Sequence, residues 1–222
     1  MRAGDLIDEA RDYSPAFKSK YGGEKAPLRR LSRLEQALAT AVVKLDPEAL
    51  ATAGSINAAA IATALADDDG VVAVPAYITI IDIKATATAA IGGGDRPVFR
   101  VTRTQQYRNG APFPSVVLSD RALRLTDLRR VAQDLHGWED FSAIVYDYVP
   151  LPAPLVDLDS ELTVPDGLGG ALVALLAEWM ARRTPGSGVN LQDLKDERET
   201  LIADFIGSVT QQGLGDTWHV LD

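Results

Sequence analysis

The stretch LRRLSRLEQALATAVVKL, residues 28–45, places Leu28, Leu31, Leu34, Leu38, Val42 and Leu45 at spacings of three and four. At 3.6 residues per turn those side chains share one stripe, so the stretch predicts an amphipathic helix with one face in a core. Arg29, Arg30, Arg33, Glu35 and Lys44 fall on the remaining faces. Pro27 suits a first helical turn, and Asp46-Pro47 ends the pattern because the residue before a proline is pushed out of the α region. A short helical turn can follow through Leu50. Upstream, Leu6 to Arg11 reads as a short helix, and Tyr13 to Lys25 as a loop with Ser14-Pro15 and Gly22-Gly23 as breakers.

Downstream the character changes. From about Ser55 to Pro150 the chain turns to β-branched and alternating residues. Tyr77 to Thr88 (YITIIDIKATAT) alternates Ile78, Ile80 and, after a slip at Ile81, Ile83, which predicts a half-buried strand. Val98 to Thr104 and Ala143 to Val149 are two further strands, with turns at Asp67–Gly70, Gly92–Asp95 and Asn109-Gly110. After Pro165 the helical period returns in Leu168, Leu172, Leu175, Leu176, Trp179 and Arg183, and Thr184-Pro185-Gly186 stops it. Asn190 is a suitable N-cap for a last helix whose stripe is Leu191, Leu194, Leu201, Ile202, Phe205 and Val209, interrupted by Arg198. Gly213 and Gly215 release a tail that carries Trp218, Val220 and Leu221.

The expectation is an α+β chain of one domain, residues 1–222. An antiparallel core of three to four helices comes from 1–52 and 166–212, a β-rich insertion spans 53–165, and an extended C-terminal tail occupies 213–222.

Composition narrows the classes of function. The 222 residues include no cysteine, which excludes disulfides, thiolate metal sites and a thiol nucleophile. Met1 to Ala10 contains three acids and no apolar core of a leader, and nothing approaches the roughly 18 uninterrupted apolar residues of a membrane helix. The expectation is therefore a soluble chain, made in a cytoplasm, with no membrane partner. A formal charge of −9 denies the chain as a whole the basic field that drives sequence-independent phosphate binding. Net acidity has two readings, solubility or the lining of a conduit that repels nucleic acid.

Sites that carry chemistry find little support. Only His136 and His219 offer an imidazole, and neither has a nucleophile in a recognisable setting. Gly186-Ser187-Gly188 lacks the flanking spacing of a nucleophile elbow and follows a helix. Asp67-Asp68-Asp69-Gly70 lacks the spaced acids and closing glutamate of a calcium loop. Gly92-Gly93-Gly94-Asp95 has no phosphate-binding lysine and no helix behind it, and reads as a flexible tip. No catalytic, metal or cofactor site is assigned. Two basic clusters, Lys25 with Arg29, Arg30 and Arg33, and Arg121, Arg124, Arg129 and Arg130 around Asp127, read as solvated faces or as surfaces for an acidic partner or DNA backbone. The Trp218 to Leu221 tail either folds back on its own domain or anchors to a partner, tryptophan being enriched at interface centres.

The order of segments resembles the head-to-tail connector, or adaptor, proteins of tailed bacteriophages. The residues that carry the likeness are LHGWEDFSAIVYDYVPLPAPLVDLDSELTVPDGLGGALVALLAEWMARR, from Leu135 to Arg183. In it a strand ends in Tyr148-Val149-Pro150, a leucine- and acid-bearing loop runs from Leu155 to Leu162, Val164-Pro165 follows, and an apolar helix spans Gly167 to Arg183. The opening through Leu31 to Pro47 matches as well, whereas the β insertion matches in placement only and is larger than in compact members. The resemblance implies a non-enzymatic structural protein of the virion neck. Its copies, often twelve, would form a ring with heterologous contacts that close by rotation. The ring would dock under the portal protein, bind a stopper or tail protein on its other side, and let DNA pass unbound. Trp218, His219, Val220 and Leu221 become the portal-anchoring residues. The rivals are a tail terminator or stopper subunit, which would form a six-fold ring, and a small-molecule-binding or hydrolytic enzyme with a deep pocket in the β lobe.

Overall fold

The computed structural model describes residues 1–23, 25–67, 70–102, 114–119, 121–126 and 137–217, with side chains as far as 210. Among them the chain is a mixture of α and β structure. The helices are α1 (Ala3–Asp12), α2 (Pro15–Lys20), α3 (Lys25–Leu45), α4 (Ala58–Ala66), α5 (Gly169–Arg182) and α6 (Leu191–Thr217). The strands are β1 (Thr52–Asn57), β2 (Val71–Ala73), β3 (Tyr77–Ala87), β4 (Asp95–Pro97), β5 (Phe99–Arg100), β6 (Ser115–Ser119), β7 (Ala122–Leu125) and β8 (Phe141–Pro150). Two compact units divide the chain: Met1–Leu50 with Leu151–Asp222, and Ala51–Pro150.

In the first unit α5 is the element on which the others pack, touching α1, α3 and α6. Ala171, Ala174 and Ala177 are buried along with Leu172, Leu176 and Met180, so α5 is covered nearly all round and not on the one side its leucines predict. Small residues between the large ones let several neighbours approach at once. The α3 stripe buries Leu28, Leu31, Leu34, Leu38 and Val42, but Leu45 is 69% exposed. It is the last residue of α3, where the apolar pattern continues and the covering layer does not.

The loop expected over Tyr13 to Lys25 contains α2. Ser14, read as a breaker, is an N-cap that accepts from the Ala16 N–H at 3.3 Å, and Pro15 occupies the first helical position. A Ser-Pro pair starts a helix as well as it stops one, because the N–H that proline lacks would have no intrahelical partner at the first helical position.

The stretch 151–165, expected at the end of the insertion, groups instead with the helices. Three α3 side chains hold it. Gln36 Nε2 donates to the Pro152 carbonyl at 3.0 Å, Ser32 Oγ accepts from the Leu155 N–H at 3.2 Å, and Glu35 Oε1 accepts from Thr163 N–H at 2.6 Å and Val164 N–H at 3.2 Å. Its Leu158 and Ser160 carbonyls accept the otherwise orphan N–H groups of Gly4 and Ala3 at the start of α1.

The second unit holds two four-stranded sheets, ordered β1-β8-β3-β4 and β2-β7-β6-β5. The slip read at Ile81 is a break in register: Ile80 pairs Tyr148 and Asp82 pairs Asp147, so one residue bulges and the alternation changes face. Ile80, Ile83, Val116, Leu123, Trp138, Phe141 and Ile144 share one core with α4 through Ile61 and Ala64. Helix α4 itself lies where only strands were expected. Its sequence AAAIATALA has strong helix formers, and Asn57 caps it by accepting from the Ala60 N–H at 2.9 Å. Of the strand expected over Val98 to Thr104, Phe99–Arg100 pairs in parallel with β6, and 103 and 104 lie outside the described residues.

Candidate assembly surfaces

Helix α6 departs from its predicted pattern in two ways. The helix runs through Gly213 and Gly215 to Thr217, so 213–217, where the tail was expected to begin, are helical. Glycine in a helix interior costs only about 1 kcal/mol relative to alanine, which neighbouring turns can absorb. The anchoring residues Trp218, His219, Val220 and Leu221 lie outside the described residues, as does His136.

The second departure concerns burial. Of the α6 stripe, Leu194 is buried, Leu191 is 37% exposed, and Leu201, Ile202, Phe205 and Val209 are only half-buried. Leu201 and Phe205 lie against two glycines at and just before the start of α5, where an added Cβ would crowd them: one at Gly170 would lie 3.1 Å from Leu201 Cδ1, and one at Gly167 2.9 Å from Phe205 Cδ2. Arg198, which interrupts the stripe, is held at the edge by Glu178 on α5 at 3.2 Å, and Glu178 also binds Arg182. Tyr13 donates to Glu197 at 3.1 Å, and burial, ahead of the glutamate's charge, pushes its phenol up to about 12. The outer surface of α6 carries Asp193, Asp196, Glu197, Glu199 and Asp204 in solvent.

Helix α3 presents the opposite charge. Lys25, Arg29, Arg33 and Lys44 are exposed on it, and the single acid, Glu35, is wholly buried. At about 100° per residue Glu35 sits about 20° from Leu28, inside the stripe. That angle was available from sequence, where the residue is placed among the polar faces. Glu35 spends one oxygen on the Thr163 and Val164 amides, and its other oxygen has no partner among the described residues. Burial raises its carboxyl above the ordinary value, against the pull of the two amides. Alongside, a shallow groove of about 720 Å³ runs past Arg33, Ala37, Thr40 and Lys44 to Leu45 and Leu151.

The motifs set aside in the sequence take structural places where they are described. Gly92, Gly93 and Gly94 have φ of 95°, 65° and 81° in the β3–β4 connection, a conformation open to glycine. Gly186 and Gly188 flank the turn between α5 and α6, where the Ser187 carbonyl accepts from Ser14 Oγ at 2.8 Å. Arg121 and Arg124 belong to the β7 hairpin, while Asp68, Asp69, Asn109, Gly110, Asp127, Arg129 and Arg130 lie outside the described residues. Among the described residues no three acidic or imidazole side chains converge as metal ligands, and no helix is long and apolar enough to cross a membrane.

In comparisons with known proteins, no family model and no curated protein matches the chain.

Proposed function

We propose that the chain is a structural subunit of the neck of a tailed-bacteriophage particle, a connector whose copies form a ring under the portal. What carries the reading is α6: 27 residues long, with Leu194 as its buried apolar residue and a half-covered stripe beyond it. A long helix exposed on most of its faces is stabilised by what it meets in an assembly or by many surface pairs, and here the apolar half of the stripe asks for a partner.

The resemblance supplies the setting. Tyr148-Val149-Pro150 closes β8, 151–165 is clamped on α3, and Val164-Pro165 leads into α5, the order of parts on which the likeness rests. In this reading the helices form the ring body, the insertion contacts virion neighbours, and the residues after Thr217, with Trp218 and Leu221 as anchors, reach the portal. The acidic balance of the chain keeps passing DNA from adhering.

Removal of 218–222 tests the anchoring. Circular dichroism is expected to be unchanged, and co-sedimentation with the portal protein encoded by the same genome is expected to disappear. Undiminished co-sedimentation discards Trp218 to Leu221 as anchors.

A further inference from the structure

Two exposed helix faces in the first unit carry the same spacing with opposite charge. On α3, Arg33, Ala37, Thr40 and Lys44 stand at i, i+4, i+7 and i+11, all exposed. On α6, Asp193, Glu197, Thr200 and Asp204 repeat that spacing and are exposed as well. Eleven residues make just over three full turns, so the terminal charges of each set lie on one face, about 16 Å apart along the axis. Arg33, Lys44, Asp193 and Asp204 make no ion pair among the described residues, so four charges of matched separation stand unused.

We infer that the α3 face of one copy receives the α6 face of a second copy in antiparallel register, Lys44 meeting Asp193 and Arg33 meeting Asp204. Ala37 and Thr40 between the cations are short enough for a second helix to approach closely. The direction follows from the helix dipoles: antiparallel docking sets the negative end of α3 against the positive end of α6. The contact joins two different surfaces, so it is heterologous and each copy keeps one free face of each kind, the condition for a chain of copies to close into a ring. The inference deepens the connector reading and rests on it for that closure.

The test uses two charge-reversed full-length chains, one with R33E and K44E and one with D193K and D204K. Circular dichroism checks that each folds, and sedimentation velocity measures assembly. Each variant alone is expected to lose assembly, with self-association weakened at least about tenfold. Mixed in equal amounts they are expected to regain it, since the reversed α3 of one accepts the reversed α6 of the other. If wild type assembles and both variants match it, the α3–α6 contact is wrong and the ring reading survives. A wild type that stays monomeric, alone and with the portal protein, removes both. If assembly is unchanged while R33E/K44E loses affinity for double-stranded DNA in fluorescence anisotropy, the basic face serves nucleic acid and the inference is overturned.

Discussion

Helices α5 and α6 are neighbours of opposite character. In α5 nine of fourteen residues are buried, Glu178 among them, whereas α6 is nearly twice as long and buries Leu194. Both were read from sequence as one-sided helices. Helix α5 is finished within the chain, whereas α6 is held within it at Leu194, along Gly167 to Gly170, and by edge contacts of Arg198 and Glu197 with Glu178 and Tyr13. Interior packing holds the first, and surface chemistry is what the second has to offer.

The sharpest way to break this contrast is to delete the same amount of apolar surface from each helix. Leu176→Ala in α5 is expected to cost about 2–5 kcal/mol in urea unfolding followed by circular dichroism, because the tightly surrounded site cannot collapse around the loss. Ile202→Ala in α6 is expected to cost under about 1 kcal/mol, since water already reaches the side chain. Equal losses would mean that α6 is as much a core element as α5.

The next largest effect belongs to the clamp between α3 and 151–165. Glu35→Ala leaves the Thr163 and Val164 amides without their acceptor, a cost of about 1–3 kcal/mol, read as lower stability and faster hydrogen exchange at those two amides. Slow exchange in the variant would show that the Gln36 and Ser32 contacts and the prolines hold the segment without Glu35. Glu35 also gives stability a pH slope of known sign. Its carboxyl is raised above the ordinary 4.5, so the folded chain keeps this proton to higher pH than the unfolded chain. The group therefore favours folding most below 4.5, and that contribution is lost as pH rises through the raised value. Glu35→Gln is expected to flatten that part of the stability profile, and an unaltered slope would assign it to other groups.

The smallest effect is at Tyr13, on the seam with α6. Tyr13→Phe is expected to cost less than about 1 kcal/mol, because the hydrogen bond to Glu197 is exposed. Its ultraviolet titration should lose a phenol ionising near 12. A loss of several kcal/mol would make this contact a main support of α6.

What sequence could reveal here follows from the range of each signal. Stripes of three and four recovered α3, α5 and α6, and the slip at Ile81 marked the bulge between Ile80 and Asp82, because these patterns repeat along the chain itself. Capping chemistry was legible at Asn190, which accepts from Gln192 N–H at 3.0 Å, yet was misread at Ser14 and overlooked at Asn57. Burial around a helix is set by its neighbours, so Leu45 and Glu35 exchanged the roles their types suggest. The clamp joins residues more than a hundred positions apart, and no local pattern reports such a contact. The candidate surfaces were half legible: the α3 cations stood out, whereas the matching face on α6 emerged only once exposure separated its acids from its stripe.

If sister copies cover the surfaces this chain leaves open, as proposed, electron microscopy of the concentrated full-length protein, with and without the portal protein of the same genome, will show it. Class averages are expected to show open-centred rings of twelve, near twelve times the 23.8 kDa mass of one chain. Particles of single-chain mass under both conditions would mean that the chain does not assemble with itself.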